Sequence, residues 1–422
     1  MSESLLLTEP GCMDDSDPAS LPYDQALQKI LDTVEPAIRS ETIALKQVLN
    51  RVLSQDIAAP MDVPPAANSA MDGYAIHSFD IPASGTQQLM LIGTSLAGKP
   101  FKGNVSAGTC VRILTGAVLP DGTDTVIMQE NVMVTTDAIT LDARSVKGDN
   151  VRAAGEDCKK GELLLRAGTC LYPAALGLLA SVGIANVKVS RKLKVALFMT
   201  GDELCSAGEP LAAGQIYDSN RYTLYGMLTR LGVEIIDLGI IKDDRQAIED
   251  AMLTAAGSAD VIITSGGVSV GDADLVREII EKLGTISFWK VAMKPGRPLA
   301  FGKVKDAWMF SLPGNPVSTM ATFYLFVQPA LKKMMGQTQT EPVTQKVSCS
   351  SNLKKRPGRL EYQRGVLSRN QNGELTVSKT GAQGSGILSS MAQANCFIIL
   401  PVENDGVMVG EQVEVMPFYG IV

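Results

Sequence analysis

Histidine is almost missing from this chain: His77 stands alone among 422 residues. A histidine-based metal centre is thereby excluded, and schemes that pair a Ser or Cys nucleophile with His have one residue to run through. Cysteine is sparse and scattered. Cys12, Cys110, Cys158, Cys170, Cys205, Cys349 and Cys396 form an odd set with no C-x-x-C pair, which argues against zinc or iron–sulfur ligation and for a reducing compartment. Positive charge is in deficit. With a formal net charge of -7 there is no general attraction to nucleic acid or acidic membranes, so neither is expected as a partner, and an anionic ligand needs a local basic pocket. Catalysis then rests on carboxylates, lysines and hydroxyls. The first residues lack the basic and apolar pattern of a signal peptide and read as an acidic, flexible tail. The apolar stretch from Leu171 to Val189 is broken by Pro173, Gly177, Ser181, Gly183 and Asn186, which predicts a buried helix followed by a strand and no membrane span. A soluble, cytoplasmic protein is the expectation.

What is present is an ordinary globular composition, 45% hydrophobic and 20% charged, in a chain too long for one core. After a tail over 1–20, Leu27, Ile30, Leu31 and Val34 repeat with helical spacing, and Leu45, Val48, Leu49, Val52 and Leu53 predict a second amphipathic helix. Residues 61–149 change texture to short apolar runs between turn residues, such as Leu89 to Ile92 and Thr125 to Met128, and read as a β-rich insertion. It interrupts a discontinuous linking domain over 21–60 and 150–190. From 191 to 337, strands near Val195 to Met199, Val233 to Leu238 and Val261 to Thr264 alternate with helices, which predicts a parallel, doubly wound α/β domain. Strands near Ile286 to Val291 and ending at Leu312 extend it, and a helix runs from Val317 towards Met335. Residues 338–422 offer short strands for a small β-barrel or sandwich.

Several segments carry chemistry. Ser265-Gly266-Gly267-Val268-Ser269-Val270-Gly271-Asp272-Ala273-Asp274 follows a buried strand and opens a helix, so free N–H groups and the helix dipole suit phosphate, with Ser265 and Ser269 as hydroxyl donors. Thr200-Gly201-Asp202-Glu203 lies at a strand's carboxyl end, where open α/β sheets bind ligands, and either acid could hold magnesium. Asp202 also reads as a turn cap, a common fate for Asp in such a loop, so Glu203 is the better functional candidate, and Asp243 fits a helix N-cap better than a ligand. Lys290, Lys294, Arg297 and Pro298 form a cationic corner stiffened by Pro295 and Gly296, suited to a tetrahedral oxyanion. Pro313-Gly314-Asn315-Pro316-Val317-Ser318 adds a helix start and a hydroxyl beside it, or is simply a turn. Asp72 within Ser69 to Ala75, Thr115-Gly116-Ala117 and Gly155-Glu156-Asp157 cannot be told from turns by spacing alone, and His77 reads as structural.

Taken in order, Ser69-Ala70-Met71-Asp72-Gly73-Tyr74-Ala75, Thr115-Gly116-Ala117, Gly155-Glu156-Asp157, Thr200-Gly201-Asp202-Glu203-Leu204, the Ser265 loop, Lys294-Pro295-Gly296 and Leu312-Pro313-Gly314-Asn315-Pro316 resemble the molybdopterin molybdenumtransferase family, MoeA and the gephyrin E-domain. A CinA-like nucleotide hydrolase would share the Thr-Gly-Asp-Glu and Gly-Gly elements but not the Asp72 or Lys294 motifs. A purely clustering role, as in the gephyrin branch, lacks a long linker or appended domain here. The resemblance implies an α/β molybdopterin-binding domain, a β-rich insertion and a C-terminal β-barrel. It implies an enzyme that takes molybdate and adenylylated molybdopterin and releases AMP with Mg2+ required. It further implies an L-shaped homodimer supplied by a molybdopterin adenylyltransferase, with Asp72, Thr115, Asp157, Glu203, Asp274, Lys290 and Lys294 as catalytic residues, Asp72 and Thr115 of one subunit lying across from Glu203, Asp274 and Lys294 of the other. Glu203, Asp243 and Asp274 would position the metal, and Ser265, Gly266, Gly267, Ser269 and Gly271 the phosphates. Lys294, Arg297, Ser318, Ser385 and either Arg359 or Arg364 would form the molybdate corner, with Arg297 standing where the family often has Lys.

Overall fold

The computed structural model describes residues 20–36, 39–266, 275–340 and 342–418. Pro22 and the apolar face of Leu27 and Ile30 set the first helix, Tyr23–Thr33, whose Ile30 is fully buried against the helical segment that ends at Met334. The second helix expected over 45–53 does not form. Ser40–Ala44 is a strand paired antiparallel with Asn186–Ser190, a single 3-10 turn covers Leu45–Gln47, and Val52 and Leu53 bridge Cys170 and Val189. Asn50 reverses the chain at φ 60°, so Val48 and Leu53 reach one core with Leu171, Leu179 and Val187 without helical spacing.

Two further antiparallel pairs, Ile57–Ala58 with Leu163–Leu165 and Asn68–Ser69 with Val151–Arg152, mark where the chain leaves and returns. Between them lies a six-stranded sheet in the order Thr125–Met128, Gly73–Ile76, Thr109–Ile113, Thr86–Ser95, Ala138–Asp142, Met133–Val134. Gly73 is required for close approach: a Cβ there would lie 1.9 Å from the Ile127 carbonyl oxygen of the neighbouring strand.

The next sheet has Lys194–Thr200 between Glu234–Ile241 and Val261–Ser265, followed by Ala307–Leu312, all parallel. Val195, Leu197, Met199 and Ile263 pack under the helix Asn220–Leu231 and the buried segment 316–334, while Ala196, Phe198 and Ile262 meet Arg245–Ser258 and Leu275–Leu283 on the other face. Coverage of both faces explains the unbroken apolar runs Val195 to Met199 and Val261 to Ile263 in the two central strands. The sheet is mixed rather than wholly parallel. Pro298–Val304 and Gly284–Lys290 complete it as antiparallel strands, because Lys305 and Asp306 alone join Val304 to Ala307, and two residues can only close a hairpin. The long helix after Pro316 includes a π-helical turn at Phe323–Val327.

Near the C-terminus, Leu360–Arg369, Leu375–Lys379, Gln345–Cys349, Gln412–Pro417 and Cys396–Leu400 close on themselves as a five-stranded barrel. Met293–Lys294 leaves the α/β part and adds to the barrel, pairing parallel with Leu360 and Glu361. None of the helices in the described residues is long and apolar enough to cross a membrane.

Candidate functional site

Thr200, Ser265 and Leu312 end three neighbouring parallel strands at one edge of the sheet. Above them opens a cleft of about 1280 Å³, with the barrel as its far wall. Gly266 allows the strand end to turn there: it sits at φ 100°, and a Cβ would be 2.2 Å from the Thr200 carbonyl oxygen.

The hydroxyl of Ser265, expected as a ligand donor, is instead taken up by the protein. It donates to the Pro313 carbonyl at 2.7 Å and accepts from Asn220 Nδ2 at 2.9 Å, while Asn220 Nδ2 also donates to the Gly314 carbonyl at 2.7 Å. Ser265 thus ties the strand end, the start of Asn220–Leu231 and the Pro313 to Pro316 turn into one rim of the cleft. Gly267, Ser269, Gly271 and Asp274 lie outside the described residues.

On the basic side, Lys294, Arg297 and Pro298 line the cleft together with Pro313, Gly314, Pro316, Ser318 and Ser385. Lys294 is well exposed and its Nζ lies 3.5 Å from the buried Glu361 carboxylate; Arg297 is buried. From the barrel come Lys354, Arg359 and Lys379. The structure separates the two arginines that the sequence could not. Arg359 lines the cleft, whereas Arg364, 1% exposed, is sunk behind it. Arg364 donates through Nη2 to the Gly384 carbonyl at 3.0 Å and the Ala382 carbonyl at 3.4 Å, and through Nε to Ser390 Oγ at 3.0 Å. Burial, partly countered by Glu361, pushes its guanidinium down to about 10, so it stays cationic at neutral pH. It braces the loop whose Ser385 carbonyl accepts from Val317 N–H at 3.0 Å, at the start of the helix carrying Ser318.

Glu203 lines the cleft, and Asp202 and Asp243 stand beside it, the Asp243 N–H donating to Asp202 Oδ1 at 3.3 Å. Burial first, and then the charges of Asp202 and Glu203, push the Asp243 carboxyl upward. A hard cation would relieve that repulsion, so the donor chemistry suits magnesium. Yet no three metal-binding side chains converge among the described residues. Asp243 is not the helix cap: Asp244 fills that role, accepting from Ala247 N–H at 2.9 Å. Lys290 is not part of the lining but lies in strand register with Pro298, which is.

Asp72, Thr115 and Asp157 do not line this cleft. Asp72 and Thr115 do meet in the inserted sheet, where Asp72 Oδ1 accepts from the Thr115 amide and hydroxyl at 2.7 Å each, and these bonds hold the exposed Asp72 carboxyl below its ordinary range. Asp157 is placed by its amide, which donates to the Val63 carbonyl at 2.9 Å. His77 has a local role, its Nδ1 accepting from Phe79 N–H at 3.1 Å. Sequence reasoning missed Asp218 and Asn220, which read as ordinary polar residues before a helix, and Lys354, Glu361 and Lys379, which barrel closure alone brings near Lys294.

Three family profiles match the chain in succession: the MoeA N-terminal region (domain I and II) over 21–183, a probable molybdopterin binding domain over 196–333, and the MoeA C-terminal region (domain IV) over 346–418. A molybdopterin molybdenumtransferase of Haemophilus influenzae is 46% identical over 94% of this chain and 98% of its own length. One from Nostoc is 36% identical over 89% and 88%, and gephyrin of Dictyostelium discoideum is 33% identical over 93% of this chain and 61% of its own length. The solved molybdopterin biosynthesis MoeA protein of Pyrococcus horikoshii superposes with a TM-score of 0.81 at 32% identity, covering 94% of this chain and all of that one. The cleft thus sits in a known setting, and the chain belongs to the MoeA family of molybdopterin molybdenumtransferases, enzymes of molybdenum cofactor biosynthesis.

Proposed function

We propose that this cleft inserts molybdenum from molybdate into adenylylated molybdopterin and releases AMP. The observation that carries the reading is the gathering of Lys294, Arg297, Lys354, Arg359 and Lys379, from two folding units, around one cleft at the carboxyl edge of parallel strands. Such a set of cations stabilises a tetrahedral oxyanion and the charge that develops on a leaving phosphate. In this reading Lys294, Arg297 and Arg359, with the Ser318 and Ser385 hydroxyls, orient molybdate. The strand end at Ser265 and Gly266 leads into the phosphate-binding segment through Gly271. Glu203, Asp243 and Asp274 would hold Mg2+, which when bound supplies positive charge at the phosphoanhydride.

The working unit is a homodimer in this reading. Asp72 and Thr115 are exposed and away from their own chain's cleft, so their service to the reaction requires a second subunit to bring them to it. A molybdopterin adenylyltransferase supplies the substrate, and the setting is the cytoplasm, in keeping with the free thiols of the six described cysteines. The test follows AMP and dithiolene-bound molybdenum from adenylylated molybdopterin with and without molybdate. Molybdate-dependent formation of both is expected. AMP release indifferent to molybdate, or substrate bound without conversion, would sink the reading.

A further inference from the structure

One stretch of the cleft lining carries buried polar atoms that the protein leaves unmet. Thr200, Asp218 and Asn220 are 1%, 3% and 8% exposed, and all three line the cleft. Thr200 Oγ1, Asp218 Oδ2 and Asn220 Oδ1 are buried without a hydrogen-bond partner among the described residues. Their neighbouring atoms are committed. Asp218 Oδ1 accepts from Arg221 N–H at 3.0 Å, and Asn220 Nδ2 donates to Ser265 Oγ and the Gly314 carbonyl. Since a carbonyl can only accept, the Asn220 amide is fixed with its oxygen as the unpartnered atom. A buried acceptor without a donor is costly, so the two obligate acceptors, Asp218 Oδ2 and Asn220 Oδ1, point to a ligand that brings N–H groups, and the Thr200 hydroxyl can donate or accept beside them.

A phosphate does not fit there, because the Asp218 carboxylate would repel it. The anionic end of a ligand belongs with Lys294 and Arg297, which line the same cleft. Ile216 and Tyr217, both about half exposed, extend the acceptor wall with an apolar surface on which a flat ring can rest. We propose that Thr200, Asp218 and Asn220 recognise the amino-bearing N–H edge of a nitrogen heterocycle, and so fix the end of the substrate remote from the reacting anion. The inference rests on the proposed function, whose substrate carries two such rings, a pterin and an adenine. The shared chemistry is an exocyclic amine flanked by ring nitrogen.

Equilibrium titration of the whole protein with two matched pairs tests it without turnover: pterin against lumazine, and AMP against inosine monophosphate, where the amine is replaced by oxygen. The protein should prefer the amino member of one pair by about tenfold or more, since a site built for a donor rejects its isostere strongly. Asp218→Asn should bring that preference near parity, and the milder Thr200→Val should reduce it a few-fold. Lys294→Ala should leave it unchanged while weakening anion binding. Loss confined to pterin and lumazine assigns the wall to the pterin; loss confined to the nucleotides assigns it to adenine. No preference in either pair, or an undiminished preference in both variants, overturns the proposal. Should Asp218→Asn not fold, Thr200→Val carries the decision alone. Because nothing is turned over, failure here is distinct from failure of molybdate-dependent AMP release.

Discussion

Replacing Arg364 with Met separates the stability of the barrel from the shape of the cleft. The guanidinium makes two good hydrogen bonds, to Ser390 Oγ and the Gly384 carbonyl at 3.0 Å, and a marginal one to the Ala382 carbonyl at 3.4 Å. Loss of two charge-assisted bonds costs about 3–6 kcal/mol. Against this stands the cost of burying the charge. A guanidinium lowered to about 10 lies roughly two to three powers of ten below an ordinary one, equivalent to about 3–4 kcal/mol that Met does not incur. The net loss should therefore be only about 1–2 kcal/mol, read as a shift in the urea midpoint. The loop of Ala382, Gly384 and Ser385 loses its brace all the same. Half-saturating molybdate should rise about tenfold or more, because a displacement near 1 Å in a positioned group costs that much. A destabilisation well above about 5 kcal/mol would refute the burial argument. Unchanged molybdate binding by calorimetry would show that the loop holds its shape without Arg364.

Three other substitutions probe separate features. Gly266→Ala forces a Cβ against the Thr200 carbonyl oxygen at φ 100°, and should cost about 2–4 kcal/mol in urea denaturation; a loss under about 0.5 kcal/mol would mean that the turn relaxes freely. Lys294→Ala should raise half-saturating molybdate while lowering the thermal midpoint only slightly, since that side chain is mostly exposed and the buried Glu361 carboxylate keeps its bond from Gln363 Nε2 at 3.0 Å. Burial opposes ionisation of Asp260, but bonds from Arg191 at 2.5 and 2.7 Å and from the Lys194 amide at 2.8 Å outweigh it and hold the carboxyl below its ordinary range. A depressed carboxyl stabilises above its unfolded value of about 4 and loses that contribution as pH falls through the folded one. Asp260→Asn should therefore cost about 1–2 kcal/mol at pH ~7 and progressively less below pH ~4; a gap independent of pH would contradict the ion-pair account.

The strands legible in the sequence were those apolar on both faces, Lys194–Thr200 and Val261–Ser265, because helices cover both sides. Pro298–Val304 was not, since a leading proline and an internal glycine argue locally against a strand, and the hairpin at Lys305 and Asp306 carries no Asn-Gly signal. Leu45 to Leu53 misled because apolar residues three and four apart can also converge through a reversal, here at Asn50. The cationic corner was legible from Lys294 and Arg297 among rigid neighbours. Its partners Glu361, Lys354 and Lys379 were not, because their nearness depends on how a barrel closes. Asp218 and Asn220 gave no signal, as acids and amides before a helix usually serve its first turn.

The short parallel ladder between Met293–Lys294 and Leu360–Glu361 bears on how such proteins can be recombined. A chimera that exchanges the C-terminal portion at a junction between residues 295 and 359 would bring in not only new cleft side chains but a new template for Lys294. Anion preference would then be inherited by two stretches of chain together, and fusions should be tried with both taken from one parent. The same ladder makes an excised α/β fragment a poor surrogate for the intact protein, because it would carry Lys294 on an edge with nothing to set its register.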